Sequence, residues 1–209
     1  MSTNLALKYS KTPLDSDGNE FIARENYTLI PDAILLHPGT IPIFTIRHPC
    51  LTVPAVFKAL SSFEPTSNRA NHLVDSRTGW QRDLYDWYID NGFEPLVIDT
   101  DDFIADPDLV RKLCTLCSMD PEHLLLEWPA TTEDEKAKML PIFVALQETL
   151  LDSTGIVASK GKPHIVVEEE VATWSELFGE QQAAVLRELL DLSLPHYLYL
   201  SERKVRLNK

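Results

Sequence analysis

Two short apolar runs in the first half of the chain predict two buried β-strands. The first run covers residues 41–46 and is rich in β-branched side chains, with the turn residues Pro38 and Gly39 before it. The second run covers residues 95–99, and between the two runs residues 78–91 carry apolar side chains at helical spacing. Strands joined through helices in this order are typical of parallel pairing. The pattern therefore predicts an α/β fold with a small parallel sheet flanked by helices.

The rest of the chain is predicted to be mostly helical, above all in its C-terminal half. Pro49 suits the first turn of a helix over 49–60, because its missing N–H costs nothing there. Residues 1–19 are expected to be weakly ordered, and the polar stretch 61–76 is expected to form a loop. The remaining helical predictions are 20–27, a turn over 30–36, 106–119, 133–151 with a break before Pro141, 181–191 and 195–203.

Length, charge and cysteine usage limit the class of protein. With 209 residues, of which 44% are hydrophobic, the chain is expected to form one domain over 1–209. The excess of 32 acidic over 19 basic residues gives a formal net charge of −13, which disfavours nucleic acid and anionic membranes as partners. The sequence shows no signal-peptide pattern and no apolar run long enough to span a membrane. Three cysteines are too few for a disulfide framework, so we predict a cytoplasmic protein.

Metal binding is not expected from the cysteines and histidines. Cys114 and Cys117 form a CxxC pair, which invites a zinc or a redox interpretation, but no second cysteine pair is present. Both lie among apolar residues at helical spacing and are interpreted as core residues. The other histidines are scattered without ligand spacing, at His37, His72, His123, His164 and His196.

A basic corner, Arg47-His48, separates the first predicted strand from the helix that Pro49 begins. A strand that ends on polar groups and leads into a helix N-terminus is where an open α/β sheet presents groups to a ligand. The alternative is an arginine that only caps or pairs at the strand end. The residues alone leave both interpretations open.

Four segments in this order resemble motifs of the sulfotransferase family, whose members have the P-loop fold. The segments are Thr45-Ile46-Arg47-His48-Pro49 with Val53-Pro54, Leu96-Val97-Ile98-Asp99 with Asp102 and Asp106-Pro107, Ser153-Thr154-Gly155, and Leu194-Pro195-His196-Tyr197. The resemblance implies an enzyme that moves a sulfuryl group from 3′-phosphoadenosine 5′-phosphosulfate (PAPS) to an acceptor hydroxyl or amine.

The chain departs from this family at the positions that hold PAPS. No phosphate loop precedes the segments that resemble the family. The family has a serine eight residues after its phosphate-binding arginine, and this chain has Ala55 at that distance from Arg47. The catalytic histidine of the family falls on Asn26 or, with the alignment shifted by one residue, on Glu25. We therefore expect a truncated sulfotransferase-like fold that has lost PAPS chemistry and uses no cofactor.

The resemblance and its departures together predict a cofactor-independent enzyme of specialised metabolism, a cyclase or isomerase of the pericyclase type, that acts on an apolar small molecule. Its predicted catalytic residues are Arg47, Asn26 and Glu25, because an arginine or an amide can polarise a carbonyl while a pocket positions the substrate. The predicted substrate-binding residues are His48, Tyr27, Arg24, Trp80, Tyr85 and Trp128.

Two alternatives to this function follow from the same residues. The first is a PAPS-dependent sulfotransferase whose phosphate loop lies elsewhere or is built differently. The second is a non-catalytic binding protein, for which an exposed sheet edge predicts a homodimer, because bare edges pair with other strands. Trp80 and Trp87 also have an alternative role, since aromatic residues at helical spacing usually pack in the core.

Overall fold

The structure is a computed structural model that describes residues 25–61, 79–162 and 164–207. In chain order the strands are β1 (Ile43–Ile46) and β2 (Leu96–Asp99), and the helices of the first half are α1 (Asp32–Leu35), α2 (Pro49–Ser61), α3 (Gly79–Asp90), α4 (Thr100–Ala105) and α5 (Asp108–Leu116). The helices of the second half are α6 (Glu133–Lys136), α7 (Pro141–Asp152), α8 (Val167–Ala172), α9 (Trp174–Phe178) and α10 (Glu180–Ser201), with short 3₁₀ turns at Pro121–His123 and Ala158–Lys160.

The two strands pair in parallel, as the sequence predicts. Ile43 lies opposite Leu96 and Ile46 lies opposite Asp99, so both strands end at the same edge of the sheet. The amide of Leu96 also donates to the carbonyl of Pro42 at 2.9 Å, which extends the pairing by one residue. The α/β prediction is therefore confirmed, with a sheet of two strands in the described part of the chain.

Two clusters of buried side chains surround this sheet. The aromatic cluster joins the strands to α3 and α10 and contains Phe44, Ile46, Tyr85, Trp87, Tyr88, Val97, Tyr197 and Leu200. The second cluster joins α2 to α9 and α10 and contains Cys50, Val53, Trp174, Ala183, Leu186, Leu189 and Leu190. Helix α10 contributes to both clusters, so it connects the sheet with the helical second half.

Helix α10 corrects the prediction of two separate helices over 181–191 and 195–203. It is one helix of 22 residues that runs through Pro195. A proline inside a helix removes a hydrogen bond and costs about 3 kcal/mol. Burial of Leu186, Leu189, Leu190 and Leu200 on one side of the helix outweighs that loss, because each buried leucine contributes about 1.5–3 kcal/mol.

The acidic segment after β2 also differs from the prediction. The sequence predicts a loop through residues 101–102 and a helix over 106–119, but α4 begins directly at Thr100 and α5 follows only at Asp108. The Asp99 carboxylate accepts a hydrogen bond from the amide of Asp101 at 3.2 Å and so caps α4. Capping by the last strand residue lets the helix start without an intervening loop.

The predicted break before Pro141 is confirmed, since α6 and α7 are separate helices. Cys50 and Cys114 are buried free thiols and Cys117 is partly buried.

Among the described residues, no group of three or more His, Cys, Asp or Glu side chains could hold a metal ion. The helices of the described ranges also include none with the length and apolar character of a membrane span. The predictions for 1–19, for most of 20–27 and for nearly all of 61–76 lie outside the described residues, as does Arg24.

Candidate functional site

Charged and polar side chains gather where β1 and β2 end. Arg47 and His48 follow β1, while Asp99 ends β2 and Asp101 and Asp102 follow it in α4. Parallel pairing brings both ends to one edge of the sheet, where α/β proteins bind ligands. We refer to these five residues together with Tyr197 and Lys204, which reach them from the C-terminal segment, as the strand-end cluster.

Arg47 is paired with a carboxylate in this cluster. Its Nε donates to Asp101 Oδ2 and its Nη2 to Asp101 Oδ1, each at 3.2 Å, which is the two-pronged geometry that favours arginine–carboxylate pairs. The Asp101 side chain is 8% exposed, against 27% for Arg47. Nη2 also donates to the carbonyl of Lys160. No described residue accepts a hydrogen bond from Nη1, and the Arg47 side chain is partly exposed.

Asp101 holds a second segment against the sheet end. The amide of Lys162 donates to Asp101 Oδ1 at 3.1 Å, so the segment around residues 158–162 is attached by both members of the ion pair. Gly161 allows this close approach, because a Cβ there would lie 2.7 Å from Cγ2 of Ile104. The Arg47–Asp101 pair is thus part of the fold as well as of the candidate site.

Asp99 is stabilised by two groups from the C-terminal segment. The Tyr197 hydroxyl donates to Asp99 Oδ2 at 2.8 Å, and Lys204 Nζ lies 3.5 Å from the same oxygen and 2.6 Å from Asp102 Oδ2. Burial, together with the adjacent Asp99 carboxylate, raises the pKa of Tyr197, so its hydroxyl stays protonated. This network fixes the end of α10 to the end of β2.

His48 is partly buried and packs edge-on against Tyr197, with the ring centroids 4.9 Å apart. The amide of Cys50 donates to His48 Nδ1 at 3.2 Å. Burial lowers the pKa of His48 below its ordinary value of 6.5, although the carboxylates of Asp99, Asp101 and Glu170 act in the opposite direction. The lowered pKa favours the neutral form of the His48 imidazole.

Asn26 and Glu25 are the other two predicted catalytic residues. Asn26 lies in a local turn, and Glu25 lies on the surface. The Asn26 amide donates to the Ile30 carbonyl at 2.7 Å and to Asp32 Oδ1 at 2.6 Å, and its oxygen accepts from Thr28. The hydrogen bonds of Asn26 are thus made within residues 26–32. Glu25 is exposed, and no described contact joins it to Arg47.

The predicted aromatic walls do not surround one pocket. Trp80 is 45% exposed, which corrects its prediction as a core residue, because it lies on the solvent side of α3, whereas Trp87 is buried as predicted. The backbone carbonyl of Trp80 accepts a hydrogen bond from the Tyr27 hydroxyl. Tyr85 is buried in the aromatic cluster, edge-on to Phe44 at 5.8 Å.

Trp128 lines a different space, an open cleft of about 960 Å³. The cleft also contains Ser153, Thr154 and Gly155, the segment that resembles the late family motif. Gly155 is needed there because a Cβ would approach the carbonyl of Leu126 at 3.0 Å. The structure thus brings together Arg47 and His48 of the predicted site, and it places Trp128 with the late motif instead.

Asp101, Tyr197 and Lys204 belong to the strand-end cluster but were not among the predicted site residues. A signal for Asp101 was present, because residues just after the second of two parallel strands must lie near the end of the first. Tyr197 lies in the C-terminal segment that resembles a family motif, but neither that segment nor any pattern around Lys204 indicated that the path of α10 brings both residues to the site.

The residues at the strand end do not fit the 3′-phosphate of PAPS. The guanidinium of Arg47 already pairs with Asp101, and Ala55 in α2 carries no hydrogen-bonding side chain. The three carboxylates of Asp99, Asp101 and Asp102 lie around the same strand end against the two cations Lys204 and Arg47, so the cluster keeps a net negative charge that disfavours a phosphate. We therefore derive no step through PAPS for the described residues.

The fold and site define an α/β protein with a charged cluster at the carboxyl ends of its parallel strands. In sequence it is similar to Sulfotransferase ppzF of Metarhizium majus (strain ARSEF 297), with 32% identity over 203 residues that cover 90% of this chain and 59% of that protein. It is also similar to Sulfotransferase ppzF of Metarhizium rileyi (strain RCEF 4871), with 30% identity over 206 residues that cover 92% of this chain and 60% of that protein.

These similarities support the resemblance to the sulfotransferase family that the motifs indicate. It spans about three fifths of the length of the curated relatives it matches. No family model matches the chain. No solved structure matches it either.

Proposed function

We propose that this chain binds a largely apolar small molecule of specialised metabolism at the strand-end cluster and rearranges it by cyclisation, isomerisation or a pericyclic step without PAPS. The observation that carries the proposal is the pairing of Arg47 with Asp101 at 3.2 Å. The pair carries no net charge, and Lys204 offsets only one of the two neighbouring carboxylates, Asp99 and Asp102, so the surroundings stay slightly acidic. An uncharged ligand oxygen fits this environment better than a phosphate does.

Arg47 supplies the polarising group of the proposed reaction. Its Nε and Nη2 are held by Asp101 and by the Lys160 carbonyl, so the guanidinium plane is fixed while Nη1 keeps its two donors. When a carbonyl oxygen of the ligand accepts a hydrogen bond from Nη1, its carbonyl group becomes more electron-withdrawing. This activates a double bond attached to the carbonyl group. Positioning together with such a hydrogen bond is sufficient for a rearrangement in which every bond that forms or breaks lies within the ligand.

The experiment is to incubate the purified chain with a panel of polyene and enone compounds and to analyse the products by chromatography and mass spectrometry. We expect a product of unchanged mass that forms faster with protein than without it. The double variant Arg47→Gln with Asp101→Asn removes both charges without leaving either one unpaired, and it is expected to abolish the acceleration. The matched control is Arg111→Ala, which removes an exposed arginine of α5. Equal rates with and without protein would contradict the proposal.

A PAPS-dependent sulfotransferase is the second candidate, and the names of the two relatives favour it. Titration calorimetry with 3′-phosphoadenosine 5′-phosphate distinguishes the two functions. The rearrangement proposal predicts no measurable binding to the unchanged chain. Micromolar binding to the unchanged chain that is lost in Arg47→Gln would show instead that Arg47 holds a phosphate beside Asp101.

Self-association through the sheet is a separate proposal. Ile43 in β1 is exposed, and so is the preceding Ile41, which leaves apolar surface beside the first strand. Light scattering coupled to size-exclusion chromatography tests it. A dimer that dissociates in Ile43→Lys would support pairing through this strand, whereas a monomer at all concentrations would exclude it.

A further inference from the structure

We propose that His48 is a second hydrogen-bond donor to the ligand, which it contacts as a neutral imidazole through Nε2–H. The inference rests on the proposed function, since it concerns the same strand end and the same class of ligand, an uncharged molecule with a carbonyl oxygen. His48 was predicted only as a substrate-binding residue. The proposal adds which tautomer it adopts and which of its atoms contacts the ligand.

The tautomer follows from the contact at Nδ1. The amide of Cys50 lies 3.2 Å from His48 Nδ1 and donates to it, so this nitrogen carries the lone pair and not the proton. A neutral imidazole has one proton, which must then lie on Nε2. Cys50 lies in the first turn of α2, a helix of 13 residues, and the positive end of a helix also disfavours an imidazolium.

The orientation of the ring is fixed by a second contact. The His48 ring packs edge-on against Tyr197, and Tyr197 is in turn held by its hydrogen bond to Asp99 at 2.8 Å. No described residue accepts a hydrogen bond from Nε2, and the side chain is only partly buried. The ring therefore offers one oriented N–H that the fold itself leaves unused.

A neutral donor of this kind suits a carbonyl ligand. It polarises the oxygen without transferring its proton, because loss of the Nε2 proton would leave an imidazolate beside the carboxylate of Asp99. His48 consequently begins and ends the reaction with the same proton, and electron density shifts only within the ligand toward the carbonyl oxygen.

The experiment is nitrogen-15 NMR of the full chain with labelled histidine and arginine side chains, at pH 7, without and with 2-cyclohexen-1-one as the carbonyl probe. His48→Gln assigns the His48 signals. His37→Gln serves as the matched control, because His37 Nδ1 also accepts a hydrogen bond from a backbone amide, that of Gly39 at 3.0 Å, whereas its side chain is exposed and no described contact joins it to the cluster. We expect an Nε2–H tautomer for His48 and a shift of its Nε2 signal with the probe, while the His37 signals stay in place.

Variants give a second readout. His48→Phe removes the donor and is expected to weaken probe binding roughly five- to tenfold, the effect of one neutral hydrogen bond, while His48→Gln, which keeps an N–H donor, restores part of the affinity. An Nδ1–H tautomer or an imidazolium at pH 7 would overturn the inference. A shift of the Arg47 signals without a shift at His48 would overturn it and leave the proposed function intact. If neither residue responds to the probe, both proposals fail.

Discussion

Replacing Arg47 by alanine tests whether the ion pair at the strand end is part of the fold. The substitution leaves Asp101 with a side chain only 8% exposed and without its cation. Breaking a fully buried pair in this way costs about 3–5 kcal/mol, and an exposed pair contributes at most about 1 kcal/mol. Arg47 is 27% exposed, and the Lys162 amide continues to donate to Asp101. We therefore expect a loss of about 2–3 kcal/mol in the free energy of unfolding.

Urea unfolding followed by tryptophan fluorescence measures this loss. The matched control is Arg187→Ala, which removes two surface pairs, with Glu168 at 3.2 Å and with Asp191 at 3.1 Å. The side chains of all three residues are at least 40% exposed, so we expect a loss of about 1 kcal/mol or less. A double-mutant cycle with Asp101→Ala isolates the coupling between Arg47 and Asp101. If Arg47→Ala costs no more than Arg187→Ala, or if the cycle shows no coupling, the pair does not stabilise the fold as argued.

Three further predictions concern the same region. Tyr197→Phe removes the buried hydrogen bond to Asp99 and should lower the free energy of unfolding by about 1.5–3 kcal/mol, measured with urea; an unchanged value would contradict the contact. Gly161→Ala places a Cβ 2.7 Å from Ile104 and should cost about 1–3 kcal/mol, with less than additive loss when it is combined with Ile104→Ala. Burial lowers the pKa of His48, so just below pH 6.5 the unfolded chain binds more protons than the folded chain. The free energy of unfolding should therefore fall as the pH decreases through this range, and His48→Gln should make this pH dependence weaker.

The sheet and its basic corner were predictable because their signals are local. The β-branched run before Arg47 and the proline after His48 specify a strand followed by a helix, and the structure has β1 and α2 in these places. Parallel pairing follows from the order of the elements. The predicted strand over 95–99 corresponds to β2 within one residue.

The contacts that decide the chemistry were not predictable in the same way. Arg47 and Asp101 are 54 residues apart in sequence, and no local pattern states that the carboxylate will turn toward the guanidinium. The course of α10 through Pro195 depends on burial of apolar residues against two clusters, which outweighs the local preference of proline. Trp80 likewise has the spacing of a core residue, but the buried side of α3 is formed by Tyr85 and its neighbours.

The choice between the two candidate functions depends on the electrostatics of Asp101. A phosphate that contacts Arg47 in the present arrangement would also lie close to the Asp101 carboxylate, and two like charges about 4 Å apart near a protein surface repel by about 4 kcal/mol. The attraction between the phosphate and Arg47 is of similar size at a similar distance, so the two effects roughly cancel and the pair gives a phosphate little net electrostatic stabilisation. A neutral carbonyl oxygen meets no such cost and can still accept from Nη1. Asp101→Asn removes the repulsion and leaves Arg47 in place, so it should strengthen nucleotide binding at least about tenfold whichever ligand the site serves. The two functions therefore differ in the nucleotide affinity of the unchanged chain, which should be micromolar for a phosphate site and not measurable for a site that serves a neutral ligand.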